Sequence, residues 1–181
     1  MVAMNLEVAR PQDYPRVVEI VNNAYRGVAK PSGWTNEAEL LSGQRTNLAA
    51  LTQMAASSET VLLVTRESGR PIGNVALEKR ASGLWYLSML AVDPSNQLGN
   101  LGKKIMLNAE AFAREHGAKL IQLSVIAQRA SLIAWYERRG YNRTGQTVPF
   151  PYEDPSVGTP LRNDLALVIL EKALGRAAER D

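Results

Sequence analysis

The sequence predicts a mixed α/β fold, with a mostly antiparallel central sheet of about seven strands and helices on both faces. Two observations lead to this prediction. In the first half of the chain, three apolar runs of strand length are separated by short, turn-rich spacers that suit antiparallel hairpins. In the second half, runs with a helical period alternate with strand-like runs, which is typical of crossover connections.

The N-terminal part of the chain predicts one strand, two helices and a loop between the helices. Residues 5–9 alternate weakly and form the first predicted strand. Asp13 is placed to cap the first helix, and Pro15 falls in its first turn, where the missing N–H costs little. The apolar positions of this helix keep the helical period, at Val17, Ile20, Val21, Ala24 and Tyr25. Residues 26–44 are loop-like, and residues 46–57 predict the second helix.

The middle of the chain predicts three hairpin strands and a third helix. The strands span residues 60–67, 72–78 and 84–92. A glycine-containing turn follows, and the pattern then changes to a helical period with an apolar face at Ile105, Ala109, Phe112 and Ala113. Gly117 is expected just beyond this helix, at the position where glycine commonly ends one.

The last part of the chain predicts three strands and a short helix. A strand at residues 120–126 precedes a helix at residues 130–139, which Gly140 stops. A strand at residues 142–147 leads into a proline-rich loop, "VPFPYEDPSVGTP", and the final strand covers residues 165–171. The predicted order is therefore β, α, α, β, β, β, α, β, α, β, β.

Composition limits the class of protein. At 181 residues the chain is long enough for one well-buried core, and no repeat or long linker divides it, so we expect a single domain over residues 1–181. No signal peptide is evident, and no window reaches the roughly 18 apolar residues of a membrane span. We therefore expect a cytoplasmic protein that does not bind membranes.

Charge and cysteine content narrow the possible ligands. The absence of cysteine excludes disulfides, thiolate zinc sites and a cysteine nucleophile, and we expect no metal site. The net charge is only +3, and adjacent basic residues occur only as short pairs such as Lys103-Lys104 and Arg138-Arg139. Since nucleic-acid binders usually cluster basic groups on one face, these small sites indicate a phosphorylated small molecule and not a nucleic acid.

The stretch "DPSNQLGNLGKKIM" lies between the third hairpin strand and the third helix. Its Gly99 and Gly102 do not have the spacing of a P-loop, and the dinucleotide fingerprint GxGxxG is also absent. What remains is a strand, a glycine turn and a helix N-terminus. That geometry binds anions through free N–H groups and the helix dipole, but by itself it is equally consistent with a purely structural turn.

A downstream segment, "LIAWYERRGY", adds a second motif. Together with "LAVDPSNQLGNLG", it resembles the GNAT superfamily of acyl-CoA-dependent N-acetyltransferases. The family's turn has the pattern Gln/Arg-x-x-Gly-x-Gly/Ala, which Gln97 and Gly102 match. Its second signature ends in Tyr-x-x-x-Gly-Phe/Tyr, which Tyr136, Gly140 and Tyr141 match.

The resemblance extends from Leu6 to Leu174, because the order of elements also agrees. This chain departs from the family pattern at Asn100, which replaces the internal glycine, and at Leu98, where glycine is usual. Asn tolerates a left-handed backbone better than other non-glycine residues, so the turn is expected to form. Leu98 is harder to accommodate if its φ is positive.

The resemblance implies acetyl-CoA as cosubstrate. Backbone N–H groups of the turn would cradle its pyrophosphate, and the pantetheine arm would pair with the end of the third hairpin strand as an added strand. One strand N–H would stabilise the thioester oxyanion. The implied cofactor-binding residues are Leu90, Ala91, Val92, Gln97, Leu98, Gly99, Asn100, Leu101, Gly102, Lys103 and Arg129, with Lys104 and Arg138 as further partners for phosphate.

The resemblance also implies a general acid, Tyr136, which would protonate the departing CoA thiolate. A phenol with an ordinary pKa of about 10 stays a proton donor at neutral pH. The alternative is an aromatic core residue. Glu78 is the candidate general base, with a solvated strand-end carboxylate as its alternative, and a chain of ordered water could do the same work. Direct attack by the amine agrees with the missing cysteine.

The acceptor is expected to be a primary amine of a small molecule or a peptide, in a protein that could form a homodimer. Residues 34–37 and 150–154 place aromatic and acidic side chains where a cationic amine could dock, although Trp34 could equally pin its loop to the core. Two rival functions stay open. One is a non-catalytic acyl-CoA-binding or regulatory domain of the same fold, and the other is a nucleotide-binding α/β domain.

Overall fold

A computed structural model describes residues 5–27, 34–96 and 99–175. Its central sheet has seven strands in the order β1-β3-β4-β5-β6-β9-β7, and one neighbouring pair, β5 with β6, is parallel. The strands are β1 Glu7–Val8, β2 Leu41–Ser42, β3 Thr60–Glu67, β4 Arg70–Lys79, β5 Leu84–Val92, β6 Leu120–Ile126, β7 Asn142–Pro149, β8 Thr159–Pro160 and β9 Ala166–Ala173. The helices are α1 Tyr14–Arg26, α2 Leu48–Ala56, α3 Leu101–Glu115 and α4 Ala130–Glu137. The predicted fold class is confirmed.

The core has one layer on each face of the sheet. α3 covers one face, where Ile105, Met106 and Ala109 pack against the inward side chains of β4 and β5. α1 and α2 cover the other face, where Val17 and Leu51 are fully buried. The helical period of α1 and the alternation of the strands thus produce the two apolar layers.

Most predicted boundaries hold to within a few residues. β3, β5 and β6 begin and end where the sequence predicts, and Gly117 and Gly140 have the left-handed φ of +92° and +87° expected after α3 and α4. Asp13 occupies the N-cap position of α1 as predicted, but its side chain makes no capping hydrogen bond. The Asp13 carboxylate accepts a hydrogen bond from the Arg10 N–H and pairs with Arg66 instead of bonding the N–H groups of the helix.

Two short strands were not predicted. β2 lies in the loop before α2, and β8 lies in the proline-rich segment, and they pair as a separate two-stranded sheet. The pairing brings two loops that are far apart in sequence to the same end of the central sheet. None of the described helices has the length and apolar character that crossing a bilayer requires.

The parallel strands β5 and β6 separate along their length. Their pairing runs from Leu84–Leu120 to Tyr86–Gln122, and beyond that point they no longer pair with each other. On its other side, β5 has a register shift against β4 near Met89, whose φ is +50°, and the Asn74 side-chain amide donates to the Met89 carbonyl at 2.7 Å. The result is an open gap in the middle of the sheet.

Candidate active site

A cavity of about 210 Å³ lies where β5 and β6 separate. Residues 86–90 and 123–126 of the two strands form its floor. Tyr25 from α1 and Tyr136 from α4 also line it, and Phe150 reaches it from the end of β7. The cavity therefore joins the middle of the sheet to both flanking helices.

Tyr136 lies in this cavity with only 6% of its surface exposed. Its ring packs edge-on against Trp135 and Tyr141, with centroids 5.0 and 5.5 Å apart. In the described part of the chain, its hydroxyl has no hydrogen-bond partner. Burial raises the pKa of Tyr136 well above its usual range, so the phenol stays protonated and is available as a donor.

Tyr141 holds the Tyr136 ring from behind. Its hydroxyl donates to the Glu110 carboxylate at 3.1 Å, and Lys172 bonds the second oxygen of Glu110 at 2.7 Å. Burial, together with the nearby Glu110 charge, raises the pKa of Tyr141 far above its usual range. This buried network fixes Tyr141, the last residue of the second family motif, between α3 and β9. Tyr141 in turn packs against Tyr136 and so helps to position α4.

The backbone of β5 reaches the cavity at Leu90. The Tyr25 hydroxyl donates to the Leu90 carbonyl at 3.1 Å, and burial raises the pKa of Tyr25 to about 12. Leu90 lines the cavity, Val92 lines a second pocket further along the strand, and Ala91 packs under α1 on the opposite face. The structure thus brings two of the three predicted cofactor-binding residues of β5 to open space.

The second pocket, of about 120 Å³, lies at the N-terminus of α3. It is lined by four of the residues expected to bind the cofactor, namely Asn100, Leu101, Gly102 and Lys103. Gly99 and Asn100 both have left-handed backbones, with φ of +79° and +59°, so Asn100 adopts the conformation that its side chain was expected to tolerate. Gln97 and Leu98 lie outside the described residues, and Lys104 does not line the pocket.

Trp34 forms one wall of this second pocket. Its ring stacks on Trp135 with centroids 4.4 Å apart. A Cβ at Gly102 would lie 2.6 Å from the Trp34 ring, so glycine is required there by a close approach of this tryptophan. Trp34 also packs against the main core, which agrees with the expectation that it pins its loop.

Arg139 is a functional candidate that the sequence analysis missed. It lines the second pocket, its guanidinium lies 3.6 Å from the Trp135 ring centroid, and its Nη1 donates to the Trp135 carbonyl at 2.7 Å. Its Nε is buried without a hydrogen-bond partner in the described structure. Burial and the neighbouring Arg138 lower the pKa of Arg139. The four-residue spacing from Trp135 was the signal for this stacking.

Arg129 does not lie where its expected role in cofactor binding would place it. Its guanidinium lines the larger cavity, where it lies 3.5 Å from the Glu37 carboxylate and donates to the Trp34 carbonyl at 3.1 Å. Only 9% of the side chain is exposed. Arg129 therefore faces a protein carboxylate and not the α3 pocket where a phosphate was expected.

The predicted base, Glu78, is not brought to Tyr136. It is paired with Arg80 at 3.3 Å near the end of β4, is 44% exposed and does not line the cavity. Arg80 in turn covers the ring of Tyr86. Among the described residues that line the cavity, the carboxylate is that of Glu37, from one of the two loops predicted to recognise the acceptor.

Comparisons with known proteins agree with this geometry. Residues 29–150 match the family model of the acetyltransferase (GNAT) domain. No match was found among curated proteins. Among solved structures, the chain is similar to the ribosomal-protein-S18-alanine N-acetyltransferase of Escherichia coli, with 16% identity, a TM-score of 0.68 and 99% of each chain covered.

Two further solved structures are similar and contain a cofactor. PaiA N-acetyltransferase from Thermoplasma acidophilum, in complex with coenzyme A, has 17% identity and a TM-score of 0.66, with 96% of this chain and all of that chain covered. YncA from Salmonella typhimurium, with its cofactor acetyl-CoA, has 20% identity and a TM-score of 0.66, with 99% and 98% covered. At these identities the structural likeness shows the shared fold.

Proposed function

The chain belongs to the GNAT acetyltransferases, and on this premise we propose that it transfers the acetyl group of acetyl-CoA directly to a primary amine of a small molecule or peptide. The observation that supports this most is the gap between β5 and β6, which has Tyr136 on its wall and lies on the strand that leads to the pocket at the N-terminus of α3. We also propose that residues 1–181 act as one domain.

The cofactor is assigned to the gap and the second pocket together. The structures of PaiA with coenzyme A and of YncA with acetyl-CoA support this choice. The first-turn N–H groups of α3, at residues 101–103, are not used by the helix itself and would bind the pyrophosphate, with Gly99 and Asn100 shaping the turn. Lys103 and Arg139 supply positive charge in the same pocket. Gln97 and Leu98 are included in the proposed site only because they belong to the turn motif of the family.

The proposed reaction uses the groups that surround the cavity. The unpaired edge of β5 offers its main chain to the pantetheine arm, and a backbone N–H near Leu90 would stabilise the oxyanion. The amine nitrogen attacks the thioester carbonyl, the C–S bond breaks, and Tyr136 gives its proton to the departing thiolate. After the attack, the amine nitrogen is protonated, and it loses one proton to solvent. The Tyr136 phenolate takes up one proton from solvent, so that the protons balance over one reaction cycle.

The route of the amine proton is proposed to use water. Glu78 lies outside the cavity and is paired with Arg80, and Glu37 is paired with Arg26 and Arg129, so neither carboxylate is an unpartnered group beside Tyr136. The same observation favours a second candidate function, a non-catalytic acyl-CoA-binding domain. A thiol-release assay with acetyl-CoA and a broad panel of primary amines separates the two. Amine-dependent release supports the transferase, and cofactor binding without release by any amine supports the binding domain.

A further inference from the structure

The charges that line the larger cavity do not balance. Among the described residues, three arginines and one glutamate line it, namely Arg26, Arg45, Arg129 and Glu37, and together they carry a formal charge of +2. A cavity that receives a purely cationic amine would be expected to carry the opposite sign. The lining therefore points to an acceptor that also carries negative charge.

Three of these residues form a closed cluster. Glu37 accepts from the Arg26 guanidinium at 2.9 and 3.2 Å and lies 3.5 Å from Arg129. Arg26 also donates to the carbonyls of Ser42, Gly43 and Val157, which ties together the segments around β2 and β8. All three charged side chains are at least nine-tenths buried. This cluster is occupied by internal contacts.

Arg45 differs from the other two arginines. It is half-buried at the cavity, and no carboxylate of the described residues lies within ion-pair distance of its guanidinium. Its contact is with the face of the Tyr25 ring, 5.6 Å from the centroid. The Asn22 side chain accepts from the backbone N–H groups of Arg45 and Thr46 at 2.7 and 3.1 Å, which fixes this segment in place. Arg45 is a positioned cation at the cavity without a counter-ion there.

We infer that the acceptor is a small zwitterion, in which a carboxylate or another oxyanion lies a few bonds from the reacting amine, and that Arg45 binds this oxyanion. The inference rests on the proposed function and specifies its substrate class. The connection between the two groups is Tyr25, whose ring contacts Arg45 and whose hydroxyl bonds the Leu90 carbonyl beside the proposed thioester site. Tyr25 thus places Arg45 and the Leu90 backbone in contact with the same side chain.

The test compares matched acceptors that differ only in this charge. Each common amino acid and its carboxamide are assayed by thiol release with acetyl-CoA, and acceptor binding is measured separately by calorimetry. The best amino acid is expected to exceed its carboxamide in kcat/KM by about 10- to 100-fold, the usual range for a charge-assisted bond. Arg45→Gln should lower kcat/KM for the acid far more than for the amide, so that the ratio between the two acceptors falls toward one.

The controls separate failure of this inference from failure of the proposed function. Arg45→Lys should retain part of the preference, and Arg114→Gln, which removes an exposed charge on α3 far from the cavity lining, should retain all of it. Equal rates for acid and amide, or a preference that survives Arg45→Gln, would overturn the inference alone. If no amine is acetylated, the transferase proposal fails. The inference then depends on the calorimetry. It stands if the unaltered protein binds the amino acid but not its carboxamide, and if Arg45→Gln does not bind the amino acid; it fails otherwise.

Discussion

Tyr136 is the single side chain on which the chemistry depends most. It lines the cavity, is almost fully buried and keeps its proton because burial raises its pKa. Tyr136→Phe removes the donor and keeps the ring, so we expect kcat to fall by about 100-fold, with the acetyl-CoA affinity nearly unchanged. Steady-state thiol release and calorimetry measure the two quantities. Tyr14→Phe, outside the cavity, is the matched control, and an unchanged kcat in Tyr136→Phe would remove its role as acid.

The raised pKa of Tyr136 also predicts the alkaline behaviour of the rate. A phenol whose pKa lies above its usual value is still protonated when an ordinary tyrosine has begun to ionise. Between pH 7 and pH 10, kcat under saturating amine should therefore show no decline from loss of the acid. A fall with an apparent pKa near 9 that disappears in Tyr136→Phe would show that the donor ionises in this range.

Some of these side chains could be predicted from sequence and others could not. Tyr136 and Asn100 belong to local motifs, and the tolerance of Asn for a left-handed backbone is an intrinsic property. Arg129, Glu78 and Arg139 depend on which distant groups surround them. Arg129 meets Glu37 and Trp34 across more than 90 residues of chain, which no local spacing reveals.

At the scale of elements, two stacked tryptophans connect α4 with the N-terminus of α3. Trp135 belongs to α4, and Trp34 lies against Gly102 of α3. Trp34 and Trp135 stack beside the N-terminus of α3. The remaining tryptophan, Trp85, is buried near the C-terminal end of the same helix. Binding of CoA at the second pocket should therefore change the intrinsic fluorescence in a saturable way. Trp34→Phe and Trp135→Phe should remove most of this change, and Trp85→Phe should retain it. A change that survives in the Trp34→Phe/Trp135→Phe double variant would place the cofactor elsewhere.

The strands themselves were predictable, but the gap between two of them was not. Alternation and turn residues define β3, β5 and β6 locally. The point at which β5 leaves β6 depends on the register shift near Met89 and on the Asn74 amide from the neighbouring strand. The pairing of β2 with β8 likewise joins segments that only tertiary structure brings together.

At the scale of the whole molecule, a largely buried ion pair links the start of α1 to the β1–β3 edge of the sheet. Arg66 on β3 bonds both oxygens of Asp13 and reaches Glu7 on β1. The hydrogen bonds from Arg66 hold the pKa of Asp13 below its ordinary value of 3.8. Because the folded pKa is lowered, this stabilisation is complete above about pH 4 and is lost as the pH falls below that value.

Asp13→Asn should therefore destabilise the protein at pH 7 by roughly 3 kcal/mol, since it leaves the Arg66 charge without its main partner. The difference in free energy of unfolding between the two proteins should shrink as the pH falls from 4 to 2. Urea titrations across this pH range measure it. Asp164→Asn, which removes a carboxylate from an exposed pair, is the control and should change stability little. A constant difference at all pH values would contradict the account.

The most direct test of the central claim is calorimetric titration with acetyl-CoA. The site assigned to the β5–β6 gap and the α3 N-terminus predicts saturable one-to-one binding. It also predicts that Lys103→Gln combined with Arg139→Gln weakens binding by about tenfold or more, through loss of phosphate contacts. Absence of binding to the unaltered protein at millimolar acetyl-CoA would contradict the claim.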